Sequence, residues 1–222
     1  MVNYFTVTIQ LESFSYLGFY FRSKIMPLPP PQKRKHIHTR NIFCEGYRRE
    51  DGLWDIEGHL KDIKTYPFKN NERGEIKPGT PIHEMWIRLT VNDRFEIIEV
   101  EAETDYSPFK ICRDITPNFK RLIGLKIGPG WRNRALKKVG GVDGCTHLVE
   151  LLAPVATTAF QTIIPINNSR VADKDKNLNS DKVPRLLNTC HAFRSDGDQT
   201  KQLWPKFYNG PTTKIKNIAS SD

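Results

Sequence analysis

The sequence predicts an α+β domain: an antiparallel sheet of two hairpins, followed by helices packed on one face. Three observations predict it. Residues 37–63 and 84–103 alternate apolar and polar side chains around turn residues, the pattern of half-buried antiparallel strands. After Asp105 the apolar residues change to helical spacing. Pro, Gly and Asn clusters punctuate the stretches between. The 222 residues, 38% hydrophobic and 27% charged, suffice for one sizeable core. No apolar run reaches the roughly 18 residues of a membrane span. The composition excludes collagen, a coiled coil and a fully disordered chain.

Residues 1–25 are rich in Phe and Tyr, lack a basic start and carry Glu12 in their apolar stretch. A secretory signal wants the opposite. The run Met26-Pro27-Leu28-Pro29-Pro30-Pro31 reads as a natural start. The expectation is an over-extended N-terminus at 1–25 and a stiff Pro/basic arm at 26–36. The core domain is expected over 37–166.

Asp51-Gly52 reads as the two-residue loop of the first hairpin. On that register Cys44 lies opposite His59, Gly46 opposite Glu57 and Arg48 opposite Asp55. Cys44, Asp55, Glu57 and His59 then share one face. Trp54, Ile56 and Leu60 take the core face, with Phe43 and Tyr47. A one-residue slip would flip that assignment. Residues 64–82, with Asn70, Asn71, Gly74, Pro78, Gly79 and Pro81, read as a connector. In the second hairpin Met85, Ile87, Leu89 and Val91 alternate with Glu84, Trp86, Arg88 and Thr90. Asn92-Asp93 is the turn. Ile98, Val100 and Ala102 return opposite to Glu99, Glu101 and Glu103.

Thr116-Pro117 reads as an N-cap and first helical residue, with Phe119, Leu122 and Ile123 as a short stripe. Trp131–Val139 is a second short helix, ended by Gly140-Gly141. A third, longer helix starts near 143–145 and carries Leu148, Leu151, Leu152, Val155 and Ala159 at helical spacing, with Pro154 expected to kink it. Residues 167–183 read as a polar linker, 184–208 as a docking segment and 209–222 as a disordered tail.

The net charge of +9 is unevenly spread. Residues 1–50 hold 8 Lys/Arg and 3 Asp/Glu, residues 51–166 hold 16 of each, and residues 167–222 hold 10 and 6. A nucleic-acid binder concentrates positive charge on its folded reading face. The neutral central domain therefore argues against nucleic acid, and the basic ends read as solvated tails. Cys44, Cys112, Cys145 and Cys190 include no Cys-x-x-Cys pair, which argues against ribbon-type zinc and thioredoxin-like chemistry. Scattered thiols without an export signal fit a cytoplasmic protein with no membrane partner.

The sharpest candidate site is Gly144-Cys145-Thr146-His147-Leu148-Val149-Glu150, at the start of the long helix. Unpaired N–H groups and the dipole there favour a thiolate, as metal ligand or nucleophile. His147 and Glu150 follow it. The structural alternative is a buried Cys145 beside a capping or solvated His147. His83 and Glu84, at a loop-to-strand junction, are candidate metal ligands. Asp105 and Cys112 flank the bend between sheet and first helix. The hairpin face of Cys44, Asp55, Glu57 and His59 reads first as an ordinary polar sheet face. No serine-hydrolase, phosphate-loop or dinucleotide motif is present.

Two resemblances follow. The strings His38-Thr39-Arg40, Gly46-Tyr47-Arg48-Arg49-Glu50-Asp51-Gly52-Leu53-Trp54-Asp55-Ile56-Glu57-Gly58-His59-Leu60, Gly128-Pro129-Gly130-Trp131 and Gly144-Cys145-Thr146-His147-Leu148 resemble a bacterial family of unknown function, DUF2889. That resemblance spans Met26 to Tyr208 and implies no activity. Residues 80–164 also resemble, in element order, the NifU/SufE-like iron–sulfur scaffold fold. On that overlay His83-Glu84-Met85, the Asp105–Cys112 bend and Cys145 take the positions of three cluster ligands. The departure from three thiolates points to zinc or iron as a single divalent ion rather than a cluster.

The functional expectation is a small metal site of His83, Glu84, Asp105, Cys112, Cys145 and His147, in a scaffold- or carrier-like protein. A first alternative is a Cys- or metal-dependent enzyme acting on a small molecule. There Cys145 is the nucleophile, His147 or His83 the base, and Glu150 the orienting group. A second alternative is an interaction module for a protein partner, without chemistry.

Overall fold

The computed structural model describes residues 28–172, 183–184 and 186–211. The expected N-terminal segment 1–25, most of the linker and most of the tail lie outside them. Four long strands, β1 (His38–Arg48), β2 (Trp54–Lys64), β5 (Pro81–Val91) and β6 (Ile97–Tyr106), form one antiparallel sheet in the order β1-β2-β5-β6. The two predicted hairpins are therefore joined side by side through β2 and β5. The connector folds into a small ribbon, β3 (Phe68–Asn70) paired with β4 (Gly74–Ile76). The helices follow: α1 (Trp131–Val139), α2 (Thr146–Ala172) and α3 (Asp198–Leu203).

The first hairpin has a different register from the expected one. Arg48 pairs with Trp54 and Cys44 with Gly58, one residue away from the two-residue-loop alignment. Arg49 N–H donates to the Leu53 carbonyl across a three-residue loop, Glu50-Asp51-Gly52, and Gly52 takes φ +89°. A type I turn with glycine left-handed at its end needs that third residue. The slip inverts β1 only. His38, Arg40, Cys44 and Gly46 face the helices, whereas Phe43 and Tyr47 lie on the outer face, 60% and 46% exposed. Cys44 is thus removed from the predicted Asp55/Glu57/His59 face. There Phe43 and Trp86 flank His59, and the His59 and Trp86 rings stack 3.6 Å apart.

The second hairpin turns through 92–96, with Phe95 at φ +65° and buried against Phe160. A register shift between Thr90 and Val91 makes Ile98 an extra residue, so it is exposed while Ile97 is buried. Ile98 therefore does not share the core face of Val100 and Ala102. Two further shifts lie near the start of β5, between Asp62 and Ile63 of β2 and between Glu84 and Met85. They make Ile82 and Asp105 the extra residues.

Trp54, Ile56 and Leu60 of β2, with Met85, Ile87, Leu89 and Val91 of β5, form the buried sheet face. Leu148, Leu151, Leu152, Val155, Ala156, Ala159 and Ile163 of α2 close over it. Glycine permits their close approach. A Cβ at Gly58 would stand 2.6 Å from Val155 Cγ2, and one at Gly46 would overlap the Thr162 side chain. Contrary to the expectation from the sequence, Thr146–Asn167 among the described residues is long and apolar enough to cross a membrane by length and composition; a third of its most apolar stretch is buried, on the face that meets the sheet. The helix runs on through Pro154 and Pro165. Thr116–Leu122 is a 3-10 turn with Phe119 and Leu122 fully buried. Its cap is Ile115 rather than Thr116, and Ile123 is exposed.

Candidate metal centre

Arg40, Asp62 and His83 stand directly opposite one another across β1, β2 and β5. All three face α2. Their row ends the apolar alternation of β2, where Asp62 takes the next core-facing place after Leu60. A carboxylate only 1% exposed must find partners. Asp62 finds four contacts. Arg40 donates from Nε to Oδ1 at 2.8 Å and from Nη2 to Oδ2 at 2.7 Å. His38 Nε2 lies 3.2 Å from Oδ1, and His83 Nδ1 lies 3.0 Å from Oδ2. Burial opposes the Asp62 charge, but the Arg40 guanidinium outweighs it and, with His83, holds the carboxyl below the usual range.

The first turn of α2 brings His147 over this row. Its ring stacks on His83, with centroids 3.6 Å apart and planes at 28°. Burial pushes the pKa of His83 down to about 4, helped by the neighbouring His147 imidazole and opposed by Asp62. Burial also lowers His147, followed by the Arg40 charge. Both rings are therefore neutral at neutral pH, the form that ligates metals. Asp62, His83 and His147 each offer one ligand atom within 4.8 Å of the others, a spacing that could hold a metal ion.

Cys145 caps this arrangement. Its carbonyl accepts the Val149 N–H, which makes it the N-cap of α2. Its Sγ lies 3.9 Å from His147 Nδ1 and 3.8 Å from Met85 Sδ. Gly144 sets the approach: a Cβ there would overlap the Val139 carbonyl at the end of α1.

Of the residues singled out in the sequence, the structure thus brings together His83, Cys145 and His147. Glu84 lies on the other sheet face, because neighbours in a strand point oppositely. There it meets His59 Nε2 at 3.2 Å and Lys61 Nζ at 3.1 Å. Asp105 accepts the Trp86 indole N–H at 2.8 Å on that outer side. Cys112 sits in a 3-10 turn at Lys110–Arg113, where its N–H donates to the Phe109 carbonyl. Glu150 binds the Arg40 guanidinium and not an imidazole. Asp62 and Arg40 belong to the cluster although no motif in the sequence marks them, and His38 is a weak candidate on sequence grounds. An acidic residue continuing the apolar phase of β2 was the available signal for Asp62.

The fold and this cluster define an α+β domain with a buried Asp–His pair and a second imidazole between sheet and helix. The chain belongs to the protein family of unknown function DUF2889, whose family model matches residues 38–161. No curated protein and no solved structure matches the chain. The likeness of residues 80–164 to iron–sulfur scaffolds accordingly finds no support, and the Asp105–Cys112 bend does not join the other two segments.

Proposed function

We propose that this protein binds a transition-metal ion between its sheet and α2, with His83 and His147 as imidazole ligands. The observation that carries this reading is the meeting of Asp62, His83 and His147, from three separate elements, with ligand atoms within 4.8 Å. Imidazole suits zinc, copper, iron and nickel. The four contacts to Asp62 occupy roughly the four lone-pair sites of a carboxylate. Its best role is therefore behind His83: it holds the Nδ1 proton and leaves Nε2 free for the ion, as carboxylates do for metal-bound histidines.

The test is calorimetric titration of the metal-stripped protein with Zn²⁺ and Co²⁺, beside His83→Ala and His147→Ala. Far-UV circular dichroism checks that both variants fold. Near-stoichiometric binding that weakens at least about tenfold in each variant supports the reading. No uptake of Zn²⁺, Co²⁺ or copper, or uptake indifferent to both substitutions, overturns it.

A further inference from the structure

We infer that the ion this centre selects is copper in its monovalent state, held by Cys145 Sγ, Met85 Sδ and His147 Nδ1. The inference rests on the reading above that the His147 end of the cluster is a metal centre, and it adds the identity of the metal.

The argument begins with the two sulfur atoms. Met85 belongs to the core-facing series of β5, two residues beyond His83 on the same face. It is 1% exposed. A methionine at such a place is ordinarily filler for an apolar gap. Here its thioether is turned to a thiol, with Sδ 3.8 Å from Cys145 Sγ. The same thiol lies 3.9 Å from His147 Nδ1. Three atoms around one ion in a plane are separated by the bond length times the square root of three. For metal–ligand bonds of about 2.2 Å that separation is about 3.8 Å. The thiol-to-thioether and thiol-to-imidazole separations both match it.

The chemistry of the donors then selects the metal. Hard cations want carboxylate, carbonyl and water oxygens. The one carboxylate in the cluster, Asp62, is occupied by Arg40 and two histidines. Thiolate and thioether together are a soft pair that suits Cu(I), whereas Zn²⁺ sites draw on thiolate, imidazole and carboxylate rather than thioether. His83 stacks on the His147 ring and so fixes the imidazole that faces the thiol.

A second observation marks the same strip of the sheet. Thr104, directly opposite Met85 in the β5–β6 register, is 1% exposed, and its hydroxyl has no hydrogen-bond partner among the described residues. Buried polar groups without partners are rare, and this one sits in the strand beside Met85.

The experiment is anaerobic titration of the stripped protein with Cu(I), in competition with a chromogenic Cu(I) chelator. Zn²⁺ titration runs in parallel on wild type, Cys145→Ser and Met85→Leu. Both substitutions nearly keep side-chain volume, so the core is retained. The expected result is one Cu(I) per chain in the wild type. Affinity falls at least about 100-fold in Cys145→Ser and about 10-fold in Met85→Leu, while Met85→Leu leaves Zn²⁺ affinity within about threefold. Copper-edge X-ray absorption of the wild type should show two sulfur neighbours and at least one nitrogen. Zn²⁺ binding without Cu(I) retention overturns this inference and leaves the proposed function standing. Cu(I) binding indifferent to Met85→Leu overturns the assigned donor set. Failure to bind either ion overturns both.

Discussion

Asp62 is the residue on which the cluster depends. It is buried, it faces the helix layer, and its charge is balanced by one guanidinium that also reaches Glu150 on α2. Removing Arg40 leaves a carboxylate without its main partner in a closed place, which costs far more than losing a surface pair. Arg40→Leu is expected to lower unfolding stability by about 2–3 kcal/mol in urea titration. Arg121→Leu, which breaks the exposed Arg121–Asp143 pair, should cost well under about 1 kcal/mol. Asp93 makes the complementary point at the far end of the sheet. It accepts the Trp54 indole N–H at 2.8 Å, and that bond first, with Asn167 and Arg48, holds its pKa below the ordinary value. A carboxyl lowered on folding stabilises the native state above its unfolded pKa of about 3.9. That contribution is lost as pH falls through the folded value. The stability gap between wild type and Asp93→Asn should therefore be complete at neutral pH and close in strong acid. Equilibrium denaturation across the acid range measures it.

At the scale of elements, the contact of α2 with the sheet is governed by two residues that lack side chains. Gly46 and Gly58 leave bare backbone beneath Thr162 and Val155. Gly58→Ala should cost about 1–3 kcal/mol through overpacking, read as a lowered urea midpoint with unchanged slope. The strands were legible in the sequence because alternation in Met85–Val91 and Trp54–Leu60 is a local signal. So was the start of α2, where Gly144-Cys145 precedes a helical stripe. The face of β1 was not. It depends on whether the hairpin loop holds two residues or three, and Asp-Gly suits both. The same ambiguity hid Arg40 and His38, since a one-residue slip sends them to the wrong side. Ile98 follows from a related cause: a bulge leaves little trace in an alternation pattern. Glu84 and His83 read as a pair by adjacency in sequence, whereas a strand sends adjacent side chains to opposite faces.

For the molecule as a whole, an ion held by His83 and by groups on α2 would join the sheet layer to the helix layer. A ligand that binds only the native state stabilises it by an amount set by its concentration relative to Kd, about 2.7 kcal/mol at 100 times Kd. Thermal unfolding of the loaded protein should therefore shift upward relative to the chelated protein, and His147→Ala should abolish the shift. The meeting of β2, β5 and α2 at one place is a tertiary fact; the phase of β2 marks Asp62 as core-facing, but only the fold shows that His83 and His147 meet it there. The bulges around His83 have a further effect. Ile82 and Asp105 are surplus residues in otherwise regular ladders, so this end of the sheet is sensitive to chain length more than to side-chain identity. Deleting either residue would regularise the pairing and remove the local bend and extra twist that the bulge imposes. Single-residue deletions, scanned along β5 and β6, would therefore map the site by a criterion independent of its chemistry.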